Sequence, residues 1–232
     1  MTSTLIIGST GLVGNEALKA LIASDAFPTL QTISRRAPKQ TSAKLSPTVL
    51  PDTSAWAASL SALTPVPTTL ISSLGTTRAQ AGGIANQWKI DHDLNLEIAR
   101  AARAAGVKHC IFVSSAGTRS LLASRMPYSQ MKIGVEDGIA AMGFETAVFL
   151  RPGLIMGERE QMHAGQGVTT AVVRGLACLS QGLADGLGQD ADVIGKAAVA
   201  AAKIVQEGKA PSNPWILEAS DIVRLGRTEW KE

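Results

Sequence analysis

Cysteine and histidine are both sparse in this sequence of 232 residues, and neither clusters. Cys110 and Cys178 stand far apart with no CxxC pattern, and His92, His109 and His163 show no ligand spacing. A disulfide framework and a metal centre are therefore not expected; the two thiols are expected to be buried and reduced. No run of eighteen apolar residues occurs, so no segment is expected to span a membrane. An excess of one charge is missing too. The 22 basic and 19 acidic side chains leave +3, too little and too dispersed for a nucleic-acid surface. Tyrosine occurs once, at Tyr128.

What the sequence does have is 45% hydrophobic residues and 22 glycines, enough for one well-filled α/β domain over residues 1–232. Apolar runs alternate with helical stretches, the pattern of a parallel sheet covered on both faces. Strands are expected near Thr4–Ile7, Leu30–Ser34, Thr48–Leu50, Thr68–Ser72, His109–Ser114, Thr146–Leu150 and Trp215–Leu217. Helices are expected near Leu12–Ser24, Ser54–Leu63, Asp91–Ala105, Tyr128–Met142, Val168–Gln181 and Asp192–Glu207, with Asp91 as a cap and Gly106 as a stop. The alternation breaks from Gly157 to Gly188, where a small substrate-covering segment (157–190) is expected. The first forty residues, rich in hydroxyls, set Lys19, Arg35, Arg36 and Lys39 against Glu16 and Asp25. Any organelle address there is expected to stay uncleaved, since cleavage would remove the first strand.

The most informative stretch is Gly8-Ser9-Thr10-Gly11-Leu12-Val13-Gly14, between the apolar run Leu5-Ile6-Ile7 and a helical stretch. Strand, glycine turn and helix aim unpaired backbone N–H groups at a diphosphate. Gly8 allows the tight turn, Gly11 the approach of the main chain to the phosphates, and Gly14 close packing of helix on strand. This predicts a Rossmann-type doubly wound sheet that binds a dinucleotide.

Lys132 follows Tyr128 by four positions, which puts both on one helix face, and Pro127 fixes the helix start. Ser115 lies thirteen residues before the tyrosine, just past a central strand. These side chains suit hydride transfer at a carbonyl carbon, which needs a proton moved at the oxygen. A free phenol, with a pKa of roughly 10, is a poor acid or base near neutrality. A nearby ammonium and an oxidised nicotinamide would stabilise its phenolate. Tyr128 is therefore the candidate acid or base, Lys132 the charge that also holds the ribose hydroxyls, and Ser115 the group orienting the substrate oxygen. Ser114 is adjacent, and spacing barely separates the two serines.

These motifs resemble the atypical branch of the short-chain dehydrogenase/reductase superfamily. The resemblance rests on the 8–14 loop, the Ser115, Tyr128, Lys132 set and Arg151-Pro152-Gly153. Ser73-Leu74-Gly75-Thr76-Thr77-Arg78, Val107-Lys108-His109 and Glu158-Arg159-Glu160 are similar to the HIV Tat-interacting protein oxidoreductase group. In length the chain looks most like that group's fungal members, associated with the mitochondrial outer membrane. The resemblance implies NADP(H) binding and peripheral attachment to that membrane. It supplies no defined substrate, and through the human member's regulatory partners it leaves a non-enzymatic, cofactor-gated scaffold as the alternative.

Cofactor choice follows from the residues themselves. The second strand runs into Ser34-Arg35-Arg36, about twenty residues past Gly14, where NAD enzymes place a carboxylate. A guanidinium there can hold a 2′-phosphate through paired charge-assisted bonds, so NADPH is expected over NADH. Ser73, Leu74 and Gly75 are expected at the adenine-side ribose. Ser114, with Pro152, Gly153, Leu154 and Ile155, is expected near the nicotinamide. Asp52 is read as a turn residue, and Asn95 as bonded to backbone or exposed. The expected substrate is a small carbonyl or alcohol, and the resemblance to the superfamily implies helices 91–105 and 128–142 as pairing surfaces of a homodimer.

Overall fold

The computed structural model describes residues 2–157 and 188–231. Seven strands form one wholly parallel sheet: β1 (Ser3–Ile7), β2 (Thr29–Ser34), β3 (Leu45–Val49), β4 (Thr69–Ser72), β5 (His109–Val113), β6 (Thr146–Leu150) and β9 (Trp215–Leu217). Their spatial order is β3-β2-β1-β4-β5-β6-β9. The order reverses between β1 and β4, which opens a crevice at their carboxyl ends. A separate parallel pair joins β7 (Leu154–Met156) to β8 (Gly188–Asp190). The doubly wound α/β class read from the sequence is the class observed.

Alternation along each strand splits the core in two. Ile6, Ile71, Ile111, Val113, Val148 and Leu150 face α1 (Leu12–Ala23) and a later helix, Ala191–Gln206. Leu5, Ile7, Leu70, Cys110, Phe112, Ala147 and Phe149 face the other layer. That layer holds α2 (Trp56–Ser59), α5 (Asn95–Ala104) and α6 (Pro127–Ala141). The short helices α3 (Arg78–Ala81) and α4 (Ile84–Trp88) lie between β4 and α5, and the helix Ala191–Gln206 is α7.

Four boundaries differ from the sequence reading. The third strand begins at Leu45 and carries Pro47 in its middle; at the sheet edge, the missing N–H removes no ladder bond from a second neighbour. The helix expected from Asp91 starts at Ile84 and passes through a π-turn, Lys89–Leu94, into α5. Asp91 therefore sits inside the helix rather than capping it. The pair β7–β8 was not anticipated, because three-residue strands carry no periodic signal. The stretch expected over 54–63 is broken into 3-10 turns flanking α2. The expected helix Val168–Gln181 and Cys178 lie outside the described residues.

Candidate active site at the carboxyl edge of the sheet

β1 ends at Ile7 and the chain turns through Gly8 at φ +83°, a conformation costly for any residue with a Cβ. The Gly8 carbonyl accepts from the Gly11 N–H at 2.9 Å, closing the turn. A Cβ on Gly14 would stand 2.1 Å from the Gly8 oxygen and 2.5 Å from the Ser73 Oγ, so glycine is required there for packing. Helix α1 opens at Leu12 and Val13 with Gly11 at its cap and no side chain bonded to its first turn. The Ser9 hydroxyl is fully buried without a partner, beside the partly buried Thr10. A bare helix start, a cradle without Cβ atoms and an orphaned hydroxyl together fit a bound pyrophosphate.

Across the crevice, the Ser73 hydroxyl donates to the Ile7 carbonyl at 3.2 Å, tying the end of β4 to the end of β1. Leu74 and Gly75 continue from it, with the Leu74 carbonyl accepting from the Asn95 amide at 3.3 Å. At the end of β2, Ser34 Oγ donates to the Arg36 carbonyl at 2.7 Å and turns the chain back. Arg35 and Arg36 are exposed on that turn. Asp52 accepts from the Ser54 N–H at 2.9 Å, the turn role expected of it.

A cavity of about 450 Å³ lies past the ends of β5 and β6, lined by Ser114, Ser115, Ala116, Tyr128, Gly153, Leu154 and Ile155. Two bonds shape its walls: Ser114 N–H to the Leu150 carbonyl and Ala116 N–H to the Pro152 carbonyl, each 2.7 Å. The Gly153 N–H donates to Gln189 Oε1 at 2.8 Å, which anchors the wall to β8. Gln189 is fully buried and escaped sequence reasoning, since only the fold brings it thirty-six positions back to Gly153. A larger cleft of about 540 Å³ at the opposite, amino-terminal edge contains none of the candidate residues.

Pro127 begins α6, so Tyr128 and Lys132 share its first turns as the spacing required. Their environments differ. Tyr128 is 41% exposed at the cavity wall, whereas Lys132 is 5% exposed and does not line the cavity. The Lys132 ammonium donates to the Val113 carbonyl at 3.2 Å and sits 4.8 Å from the Phe112 ring centroid.

Where the π-turn meets the end of β4 there is a buried polar cluster. Asp91 Oδ1 accepts from the Thr76 N–H at 2.7 Å, and Oδ2 from the Gln87 amide at 3.1 Å. The Asn95 amide donates to the Ile90 and Asp91 carbonyls as well as to Leu74, while its oxygen accepts from Ser72 Oγ at 2.8 Å. Asn95 is thus the backbone-bonded residue expected, and Asp91 is a site neighbour read only as a cap. Further along α6, buried Glu136 accepts from Arg151 Nη2 at 2.6 Å and Nε at 3.1 Å, and from Arg119. Burial pushes the Glu136 carboxyl up, but the bonds and charge of the arginines outweigh it and hold the carboxyl below its usual range.

The parallel order, the reversal between β1 and β4 and the glycine turn define a Rossmann-like fold. Among solved structures, the fold matches MoeE5 in complex with UDP-glucuronic acid and NAD, at TM-score 0.69 and 15% identity over 94% of this chain and 76% of that one. It also matches the YIR035C short chain dehydrogenases/reductase of Saccharomyces cerevisiae, at TM-score 0.69 and 15% identity over 97% and 99%. The chain belongs to the HIM1 family, whose model matches residues 38–181. It is 59% identical to "Protein fmp-52, mitochondrial" of Neurospora crassa, over 100% of this chain and 98% of the relative. It is 54% identical to "Protein FMP52, mitochondrial" of Chaetomium globosum, over the full length of both. Among the described residues, no helix is long and apolar enough to cross a membrane.

Proposed function

We propose that this protein is an NADPH-dependent oxidoreductase of the atypical short-chain dehydrogenase/reductase type, acting on a small carbonyl or alcohol. The observation that carries the reading is that Ser114, Ser115, Tyr128 and the 153–155 wall line one and the same cavity. The cradle over Gly8, Gly11 and Gly14 is suited to the pyrophosphate, and Arg35 with Arg36 to a 2′-phosphate. NADPH, when bound, supplies the hydride.

Tyr128 moves the proton at the substrate oxygen, with Ser115 donating to that oxygen and fixing its orientation. Lys132, one turn further along α6, is the residue that would hold the ribose hydroxyls of the bound nucleotide. Gly153, Leu154 and Ile155 line the cavity on the side where the nicotinamide would lie, next to Pro152.

The test is a screen of small carbonyls with NADPH, with Tyr128→Phe as control. Turnover lost in the variant supports the assignment, and turnover that survives removes it. The alternative is an NADP(H)-binding scaffold, supported by the exposure of Tyr128 and by the bond Lys132 already makes to Val113. It predicts partner capture that responds to cofactor and is indifferent to Tyr128→Phe. The names of the relatives support a mitochondrial location, and the resemblance to fungal members of the HIV Tat-interacting group supports peripheral attachment to the outer membrane.

A further inference from the structure

Glu136 lies on α6 about two turns past Tyr128 and is 1% exposed. Its carboxylate is held by two arginines, each from a different segment beside the cavity. Arg151 directly follows β6 and precedes Pro152, whose carbonyl takes the Ala116 N–H, and Gly153, which lines the cavity. Its Nε donates to Oε1 at 3.1 Å and its Nη2 to Oε2 at 2.6 Å, a fork that fixes the direction of the guanidinium as well as its place. Arg119 stands four residues past Ser115 on the loop to α6, and its Nε and Nη2 donate to Oε2 at 3.2 and 3.1 Å. The Arg119 Nη2 also reaches Asp137, the next residue of α6. One buried carboxylate thus joins three segments: the helix carrying Tyr128, the loop leaving Ser115 and the wall 151–155.

Buried ion pairs stabilise a core poorly, because desolvation offsets much of the attraction and apolar side chains of equal volume often serve better. What such a pair adds over apolar packing is orientation. None of the three side chains lines the cavity, so they act on it through the backbone they hold. The bonds from Ser114 N–H to Leu150 and from Ala116 N–H to Pro152 cross the same junction. Among the described residues, the glycine turn receives no hydrogen bond from this network.

Resting on the reading of the cavity as the active site, we propose that Glu136 is a positioning residue. Through its bonds to Arg119 and Arg151 it sets the spacing of Tyr128, Ser115 and the 151–155 wall. Ser115 and Tyr128 must reach one substrate oxygen together, so a segment displaced by about 1 Å slows the chemical step. The pyrophosphate cradle, and with it the hold on the nucleotide, stays as it was.

The experiment follows NADPH oxidation by the full chain with a panel of small aldehydes, nitrobenzaldehyde among them, for wild type, Glu136→Gln, Arg119→Met and the double variant. Rates are expressed per folded molecule, with the folded fraction taken from circular dichroism at the assay temperature, and NADPH affinity is read by fluorescence. The expected result for Glu136→Gln is a kcat at least about tenfold lower, with NADPH affinity unchanged. Arg119→Met leaves the Arg151 bonds in place and should lower kcat by a smaller factor. The double variant should lose less than the product of the two single losses, because Arg119 acts through the same carboxylate. Wild-type kcat per folded molecule in both single variants overturns the inference, since the cluster would then serve the fold alone. Losses that multiply in the double variant, or NADPH affinity that falls in step with kcat, overturn it as well. If Glu136→Gln does not fold, Arg119→Met decides: a lowered kcat at unchanged NADPH affinity supports the role, and a wild-type kcat removes it. If wild type oxidises NADPH with none of the aldehydes, the proposed function itself fails, and the inference falls with it.

Discussion

The Ser73 hydroxyl donates to the carbonyl of Ile7 across 3.2 Å, joining β4 to β1 where the sheet reverses its winding. The bond fixes the width of the crevice between the glycine turn and the loop after β4. The same oxygen would lie 2.5 Å from a Cβ on Gly14, so the turn, the helix start and the second crevice wall are packed as one unit.

Gly14→Ala should therefore damage binding and stability together. The added methyl meets the Gly8 carbonyl at 2.1 Å, and backbone cannot yield as a flexible side chain would. The expected cost is about 1–3 kcal/mol in urea unfolding, with NADPH affinity falling at least about tenfold. Wild-type affinity in this variant would contradict the cradle.

Arg35→Ala tests the phosphate clamp. A charge-assisted bond to a phosphate contributes roughly 1.5–3 kcal/mol, so NADPH affinity should fall on the order of tenfold or more. NADH affinity should stay where it was. Equal wild-type affinity for the two nucleotides, measured by fluorescence titration, contradicts the clamp.

Glu136 sets an acid limit on stability. Its folded-state pKa is lowered, so its contribution is complete above the ordinary carboxylate range and is lost as pH falls through the lowered value. Glu136→Gln removes the buried carboxylate but leaves Arg151 paired with Glu218 and Arg119 with Asp137, at an expected cost of about 1–3 kcal/mol near neutrality. The gap between variant and wild type in denaturant melts should close as pH drops below about 4. A gap independent of pH would show that the carboxylate charge plays no part.

Cys110 should be chemically silent in the native state. It is fully buried on β5, and burial pushes its thiol up to about 12. In a Cys178→Ser background, a thiol reagent at neutral pH should label Cys110 only at the rate of unfolding. Rapid labelling of folded protein would place Cys110 at an accessible surface.

Much of this was legible in the sequence, for identifiable reasons. The strand, glycine turn and helix of residues 3–23 declare themselves locally, and the unbroken apolar run Cys110-Ile111-Phe112-Val113 reads as a strand covered on both faces, whose side chains divide between the two halves of the core. Spacing alone put Tyr128 and Lys132 on one helix; that the tyrosine stands at the cavity wall and the lysine is buried against the Val113 carbonyl depends on tertiary packing and had no local signal. Asp91 was misread because an aspartate before an apolar stretch has the pattern of a cap; its bond to Thr76 arises from tertiary packing. Gln189 was invisible for a related reason: a lone glutamine just before a helix has no local signature, and its role depends on the parallel pairing of β7 with β8.

The most direct test is a crystal structure grown with saturating NADP⁺. The pyrophosphate should lie over Gly8, Gly11 and Gly14, and the reactive carbon of the nicotinamide should come within about 4 Å of the Tyr128 hydroxyl or of a carbonyl bonded to it. A nucleotide bound elsewhere, or a ring turned away from Tyr128 with the glycine turn empty, would contradict the account.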